Sequence, residues 1–238
     1  MGENRHNPDQ LLKAIQADEE NRNKGHLKIF FGYAAGVGKT YAMLEAAHMA
    51  KQQGIDVVAG YIEPHARPKT AALLNGLEVL PTREVLYNGM ILNEFDIDMA
   101  LKRKPQLILV DELAHTNAEG CRHAKRYQDI KELLNAGIDV YTTVNVQHIE
   151  SLCDTVASIT EIVVRERIPD SIFDNADQVE LIDIEPQDLI NRLNTGNVYR
   201  QTQAKQAVEN FFTIENLTAL REISLRRCAD RVNILTEN

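Results

Sequence analysis

Tryptophan is absent, cysteine occurs three times, and no apolar run extends beyond a few residues. The longest uncharged apolar stretches, such as Leu107 to Val110, fall far short of the roughly 20 residues needed to cross a bilayer, which excludes a membrane span from this chain. Cys121, Cys153 and Cys228 are far apart, odd in number and without C-x-x-C spacing. Neither a disulfide framework nor a zinc knuckle is indicated, and the thiols read as reduced and partly buried. Histidine is commoner, at seven, yet no H-E-x-x-H occurs, and His115 and His123 lack a cysteine or carboxylate at zinc-like spacing. The N-terminus, Met1-Gly2-Glu3-Asn4-Arg5-His6, has no apolar signal-peptide core, and His6 stands where myristoylation wants Ser or Thr. Positive charge is also short: 26 Lys and Arg against 35 Asp and Glu give a net charge of −9. Phosphate-backbone binding draws on many Lys and Arg contacts, so no broad nucleic-acid surface is expected. What remains is an ordinary globular composition, 44% hydrophobic and 26% charged over 238 residues, expected in the cytoplasm.

Hydrophobic periodicity divides the chain. Residues 1–25 are polar apart from Leu11, Leu12 and Ile15, which fit one short amphipathic helix on an N-terminal arm. Leu27 to Phe31 reads as a buried strand, followed by a glycine-rich turn and a helix from Tyr41 to Gln53 that stops at Gly54. Ile55 to Ile62 is a second strand, and short helices are expected over Lys69 to Leu74 and Glu94 to Lys102. Leu107 to Asp111 is a third strand. A helix over Tyr127 to Asn135, a strand over Ile138 to Val144 and a helix over 147–158 follow. Ile162 to Val164 and Val179 to Asp183 read as further strands of the same sheet, and Pro186 opens a helix to Asn194. Strands alternating with helices of this length imply βαβ crossovers, a mainly parallel sheet and helices on both faces: the class is α/β. From Gln203 onward, Ala207, Val208, Phe211, Leu217, Leu220 and Ile223 recur at helical spacing, with Arg221, Arg226, Arg227 and Arg231 interleaved. The expected organisation is an arm (1–25), a main α/β domain (26–200) and a C-terminal helical element (201–238).

The densest chemical signal is Gly32-Tyr33-Ala34-Ala35-Gly36-Val37-Gly38-Lys39-Thr40, between an expected strand and an expected helix. That is the context a P-loop requires, so the α/β domain over 26–200 is expected to be P-loop NTPase-like and nucleotide-binding. Glycines let successive N–H groups turn towards a phosphate, and the helix adds the positive end of its dipole. Lys39 would neutralise phosphate charge, and the Thr40 hydroxyl suits Mg²⁺, which prefers oxygen ligands. The strict G-x-x-x-x-G-K-[ST] spacing puts its first glycine at position 33, which is tyrosine here, with Gly32 one residue early. A wider loop entry is therefore expected.

The third strand delivers Asp111 and Glu112 at its C-terminal tip, where ligands of open α/β sheets sit. Asp111 suits a Walker-B role towards Mg²⁺, against the plainer reading of a turn or cap residue. Glu112 is placed to orient or deprotonate an attacking water, or else to tether a loop. At the fourth strand's tip, Asn145 or Gln147 could sense a γ-phosphate through its amide, with helix capping nearly as good an account. Arg122-His123-Ala124-Lys125-Arg126 reads first as a solvated helix start and second as a source of an arginine for transition-state charge. Tyr33 and Tyr41 flank the loop and could stack on a base, packing being the default for Tyr41.

Taken together, the run Leu27 to Gly32 leading into Gly36-Val37-Gly38-Lys39-Thr40-Tyr41-Ala42-Met43-Leu44-Glu45 closely resembles the N-terminal cytoplasmic domain of the KdpD family of sensor histidine kinases. So do Asp111-Glu112-Leu113-Ala114-His115-Thr116-Asn117, Lys125 to Ile130, Tyr141 to Leu152, and Asn216-Leu217 with Ala219 to Glu222 and Leu225 to Arg227. The resemblance spans about residues 27–235. It departs from the family pattern at Ala35 and Ala124, where proline is common, and at Glu63-Pro64-His65-Ala66-Arg67.

The resemblance implies an ATP-binding regulatory domain, with Walker A over Gly36 to Thr40 and Walker B over Leu107 to Asp111. Bound MgATP would tune the kinase and phosphatase balance of a two-component sensor for potassium limitation or osmotic stress. Full-length members add membrane helices and a phosphorelay kinase, which 238 residues do not hold. The chain then reads as a fragment or a stand-alone relative, not itself a histidine kinase, its partner being the rest of a sensor or a separate kinase, with a homo-oligomer open. The alternative is a free-standing P-loop ATPase or small-molecule kinase with Glu112 as base. A structural protein with a decayed loop fits poorly with an intact Lys39-Thr40.

Overall fold

The structure, a computed structural model, describes residues 24–63, 68–87, 89–194 and 211–237. The helix expected around Leu11, Leu12 and Ile15 and the positions Ala207 and Val208 lie outside the described residues. Six parallel strands form one sheet: β1 (Leu27–Gly32), β2 (Val57–Tyr61), β3 (Glu78–Val79), then, after an inserted hairpin, β6 (Leu107–Val110), β7 (Asp139–Asn145) and β8 (Gln178–Leu181). Their spatial order is β3-β2-β6-β7-β1-β8. The chain leaves β1 through α1 (Lys39–Gln52) and lands on β2 beyond β6 and β7, and α2 (Pro68–Ala72) lies between β2 and β3 in the chain. The carboxyl ends of β1, β6 and β7 are thus adjacent and open, the place where such sheets bind ligands.

Period-two alternation explains both faces. Leu107 and Leu109 belong to the cluster around α1, with Phe30, Met43, Leu44 and Ala47. Ile108 and Val110 belong to the opposite cluster, with Ile29, Phe31 and Val140. That second face is covered by α3 (Ile97–Arg103), α4 (Arg126–Asn135), α5 (Cys153–Thr160), α6 (Asp170–Asp174), α7 (Pro186–Asn194) and α8 (Ile214–Glu237), through side chains such as Ile97, Ile130, Val156, Phe173, Leu189 and Leu217. Each fully buried Leu, Ile or Phe contributes on the order of 1.5–3 kcal/mol. The α/β reading with helices on both faces therefore stands.

Three segments differ from expectation. The stretch before α3 is not the start of a helix: β4 (Arg83–Tyr87) and β5 (Met90–Glu94) form an antiparallel hairpin, and α3 begins only after Asp96, whose side chain accepts the Met99 N–H at 3.0 Å. The hairpin tip exposes Leu86, Tyr87, Met90 and Ile91, which left no amphipathic period to read. The helix expected over 147–158 starts late. Ile149 is drawn into a bridge with Ile168, and the Glu150 N–H donates to the Ile168 carbonyl at 3.0 Å. Only two 3-10 turns fit before α5. The same bridge leaves Ile162 to Val164 outside the sheet, with Val163 71% exposed.

The C-terminal helix uses its arginines internally. Arg221 bonds Asp183 and Glu185 at 2.7–2.8 Å. Arg227 bonds Asp174 at 2.6 Å and lies over the Phe173 ring, and Arg231 donates to the Phe173 and Ala176 carbonyls. Among the described residues the three cysteines are free, Cys153 buried and the other two half-buried. No helix among them is long and apolar enough to cross a membrane.

Asp129 on α4 is buried, and Asn117 Nδ2 donates to its carboxylate at 2.6 Å. Burial outweighs that bond and the nearby His123 and Arg126 charges and pushes its pKa up to about 6. The folded state therefore holds this proton more tightly than the unfolded chain. The resulting stabilisation is complete below the ordinary carboxylate range and is lost as pH rises through 6. Asp129→Asn should stabilise the fold by about 2 kcal/mol more at pH 8 than at pH 4, read from urea unfolding at the two pH values. An equal effect at both would show that the carboxylate charge is not the cause.

Candidate functional site

The cavity at the open strand ends is lined by the loop after β1 (Ala35, Gly36, Gly38, Lys39, Thr40), by Asp111, Glu112, Ala114 and His115 beyond β6, by Thr143, Val144 and Asn145 of β7, and by His148 and Glu166. Thus Gly36, Gly38, Lys39, Thr40, Asp111, Glu112 and Asn145, from separate segments of the sequence, meet in one place. Alternation accounts for much of this. Leu107 and Leu109 face α1, so Asp111 follows on the same side. Phe30 also faces α1, and its register partner Thr143 in β7 shares that face.

The loop geometry depends on small residues at two points. Gly38, the residue before α1, has φ 114°, a left-handed conformation that favours glycine. A Cβ on Gly32 would come within 2.7 Å of Val37 and 3.1 Å of Lys39, so the early glycine serves the close approach in place of position 33. Tyr33 instead turns into the core, fully buried, and donates its hydroxyl to the Ile184 carbonyl at 3.1 Å. Burial, with Asp183 nearby, pushes that phenol up to about 12. Stacking of Tyr33 on a base is therefore corrected to a packing role. Tyr41 and Val37 stand off the cavity: Tyr41 is 39% exposed on α1 with its hydroxyl bonded to Glu45, while Val37 is buried. Lys39 is nearly buried, and its ammonium reaches the Ala34 carbonyl at 3.0 Å.

Asp111 is 1% exposed. Its Oδ2 accepts the Thr40 hydroxyl at 3.1 Å, and its Oδ1 accepts the Thr143 hydroxyl and the Glu112 N–H. Glu112 itself adopts φ 59°. Burial first, then the charges of Glu63 and Asp111, push its carboxyl up to about 7. Asn145 Oδ1 is buried without a hydrogen-bond partner. A hydroxyl, a carboxylate and an orphaned amide oxygen beside an amide-rich loop fit a hard cation carrying phosphate oxygens. His148 donates Nδ1–H to the Glu166 carbonyl at 2.9 Å, and burial lowers its pKa.

One member of the basic cluster departs from the solvated helix start that the sequence suggests. Arg126 is 0% exposed. Its guanidinium donates to the Asp111 carbonyl at 3.2 Å and to Glu94 at 3.1 Å, and it lies 4.1 Å over the Tyr61 ring. Glu94, at the base of the hairpin, also meets His115 Nε2 at 3.0 Å and the Ala118 N–H at 2.9 Å. Burial alone would raise Glu94, but these bonds and the Arg126 charge bring it below the usual range. Arg122 pairs with Asp98 and Glu132, and Lys125 with Thr116. Thr143 and Glu166 line the cavity without having been singled out from sequence, and Glu94 reaches Asp111 only through Arg126; of the three, only Thr143 carried a signal, through its strand register.

A family model for KdpD, described as the osmosensitive K⁺ channel His kinase sensor domain, matches residues 23–232. Among curated relatives, Sensor protein KdpD of Clostridium acetobutylicum is 63% identical over 98% of this chain and 26% of its own length. Sensor protein KdpD of Escherichia coli is 56% identical over 96% of this chain and 25% of its own. Sensor protein KdpD of Mycobacterium tuberculosis is 52% identical over 87% and 24%. The chain spans about a quarter of the length of these relatives.

Removing one member of a buried ion pair strands the other's charge, at a cost of about 3–5 kcal/mol. Glu94→Gln should therefore lower unfolding stability by about 3 kcal/mol in denaturant titration. A change within about 0.5 kcal/mol, as for an ordinary surface substitution, would show that Arg126 is not held by this pair.

Proposed function

The chain belongs to the KdpD family of sensor-kinase domains, and from that premise we propose that it is an ATP-binding regulatory domain. Its loop and Lys39 hold the phosphates, and Thr40 and Asp111 hold Mg²⁺. Occupancy changes the contacts this domain makes with the rest of a longer sensor or with a separate kinase. In this way it tunes the kinase and phosphatase balance in the response to potassium limitation or osmotic stress. The setting is the cytoplasmic face of the membrane. Binding matters more than turnover. The observation that carries the reading is the 3.1 Å contact between the Thr40 hydroxyl and Asp111, which joins the loop after β1 to the end of β6. A bound cation would supply charge neutralisation at the phosphates; Thr40 and Asp111 are the residues that would hold and orient it.

A second reading, a P-loop ATPase or small-molecule kinase, is favoured by one feature. Glu112 lines the same cavity beside Asp111, where a carboxylate takes a proton from an attacking water or hydroxyl.

Calorimetric titration separates the outcomes. Lys39→Ala should weaken MgATP binding at least about tenfold, the loss of a charge-assisted contact; unchanged affinity would remove the phosphate-loop assignment. Glu112→Gln should keep that affinity. If wild type hydrolyses ATP and this variant does not, the enzyme reading gains, whereas absence of turnover in wild type favours the regulatory one.

A further inference from the structure

Two consecutive threonines near the end of β7 have opposite fates. Thr142 lies beside Ile29 and Val110 in the register, on the face away from α1, and its hydroxyl is buried with no hydrogen-bond partner. Thr143 lies on the α1 face, 3% exposed, and its hydroxyl both donates and accepts. It donates to Asp111 Oδ1 and accepts the Glu112 N–H at 3.2 Å, while its main-chain carbonyl accepts the Leu113 N–H at 2.9 Å. The N–H groups of both Glu112, in a left-handed conformation unusual for a residue with a side chain, and Leu113 are therefore held by one residue of the neighbouring strand.

The consequence lies in the carboxylate. Each carboxylate oxygen accepts about two hydrogen bonds. Oδ1 of Asp111 already has two, from Thr143 and from the Glu112 N–H that it shares with the Thr143 hydroxyl, whereas Oδ2 has one, from Thr40. The remaining acceptor position is thus on the Thr40 side of the group, beside the loop. We infer that Thr143 is a positioning residue for the metal-bound nucleotide: its hydroxyl holds the Asp111 carboxylate in the rotation that leaves Oδ2 open beside Thr40. This rests on the MgATP reading of the site. Phosphate contacts made by the loop amides and Lys39 do not pass through Thr143, so metal-free ATP is indifferent to it.

The test compares binding of MgATP with binding of ATP in the presence of EDTA, by calorimetry on the full chain. Thr143→Val keeps the shape and removes the hydroxyl. It should weaken MgATP about tenfold, the worth of one bond to a charged group, and leave metal-free ATP within about twofold. Thr143→Ser restores the hydroxyl and should recover the wild-type preference for MgATP. Thr142→Val removes the orphaned hydroxyl next door and should match wild type. The inference is overturned if Thr143→Val weakens both forms equally or neither, if Thr143→Ser fails to rescue, or if Thr142→Val loses the preference as well. Wild type binding ATP with no preference for Mg²⁺ would overturn the inference while leaving the phosphate loop intact. Wild type binding neither form would remove the site reading and the inference together.

Discussion

The Asp111 carboxylate, almost wholly removed from water, is the junction on which the site depends. Burying an ionisable carboxyl without partners is costly, and the fold meets that cost with two separate segments and the next residue's own N–H. Thr40 comes from the first turn of α1, Thr143 from β7, and the Glu112 N–H from the turn that Asp111 itself begins. The alternation of β6 and β7 against the α1 face makes this convergence possible. A shift of one residue in either strand would send Asp111 or Thr143 into the opposite layer.

The same residue carries a second link through its main chain. Its carbonyl accepts Arg126, and Arg126 reaches Glu94 at the foot of the hairpin. Glu94 in turn gathers His115 and the Ala118 N–H, so the loop leaving β6 and the hairpin base share one buried set of charges. A buried pair of this kind is weak evidence for added stability, but it fixes one arrangement, because any displacement strands a charge. Any rearrangement at Asp111 therefore meets the hairpin base through a short, continuous chain of contacts. The apolar tip of that hairpin faces solvent at Leu86, Tyr87, Met90 and Ile91.

Much of this architecture is legible in the amino-acid sequence. Strand, glycine-rich turn and helix from Leu27 to Gln53 are local signals, and so is the apolar run that ends in Asp111. The loop residues and the acidic tip can be named because their chemistry is written in short motifs. What is not legible depends on pairing between distant segments. The hairpin hides because its exposed face is apolar, and the helix after β7 is delayed because Ile149 pairs with Ile168. Arg126 sits in a basic run whose composition favours solvent; only the presence of Glu94 and Tyr61 beside it explains its burial. Tyr33 stands in the glycine position of the motif and points towards a ligand role, whereas the loop after β8 supplies the carbonyl that keeps it inside.

The claim that binds these observations together is that MgATP docks at the Asp111 junction and that the loop beyond it responds. Amide hydrogen exchange with and without excess MgATP measures this directly. The account predicts slower exchange over residues 36–40 and 111–118, extending to the hairpin base at Glu94, with the outer end of α8 unchanged. Identical exchange in those segments with and without MgATP would contradict it.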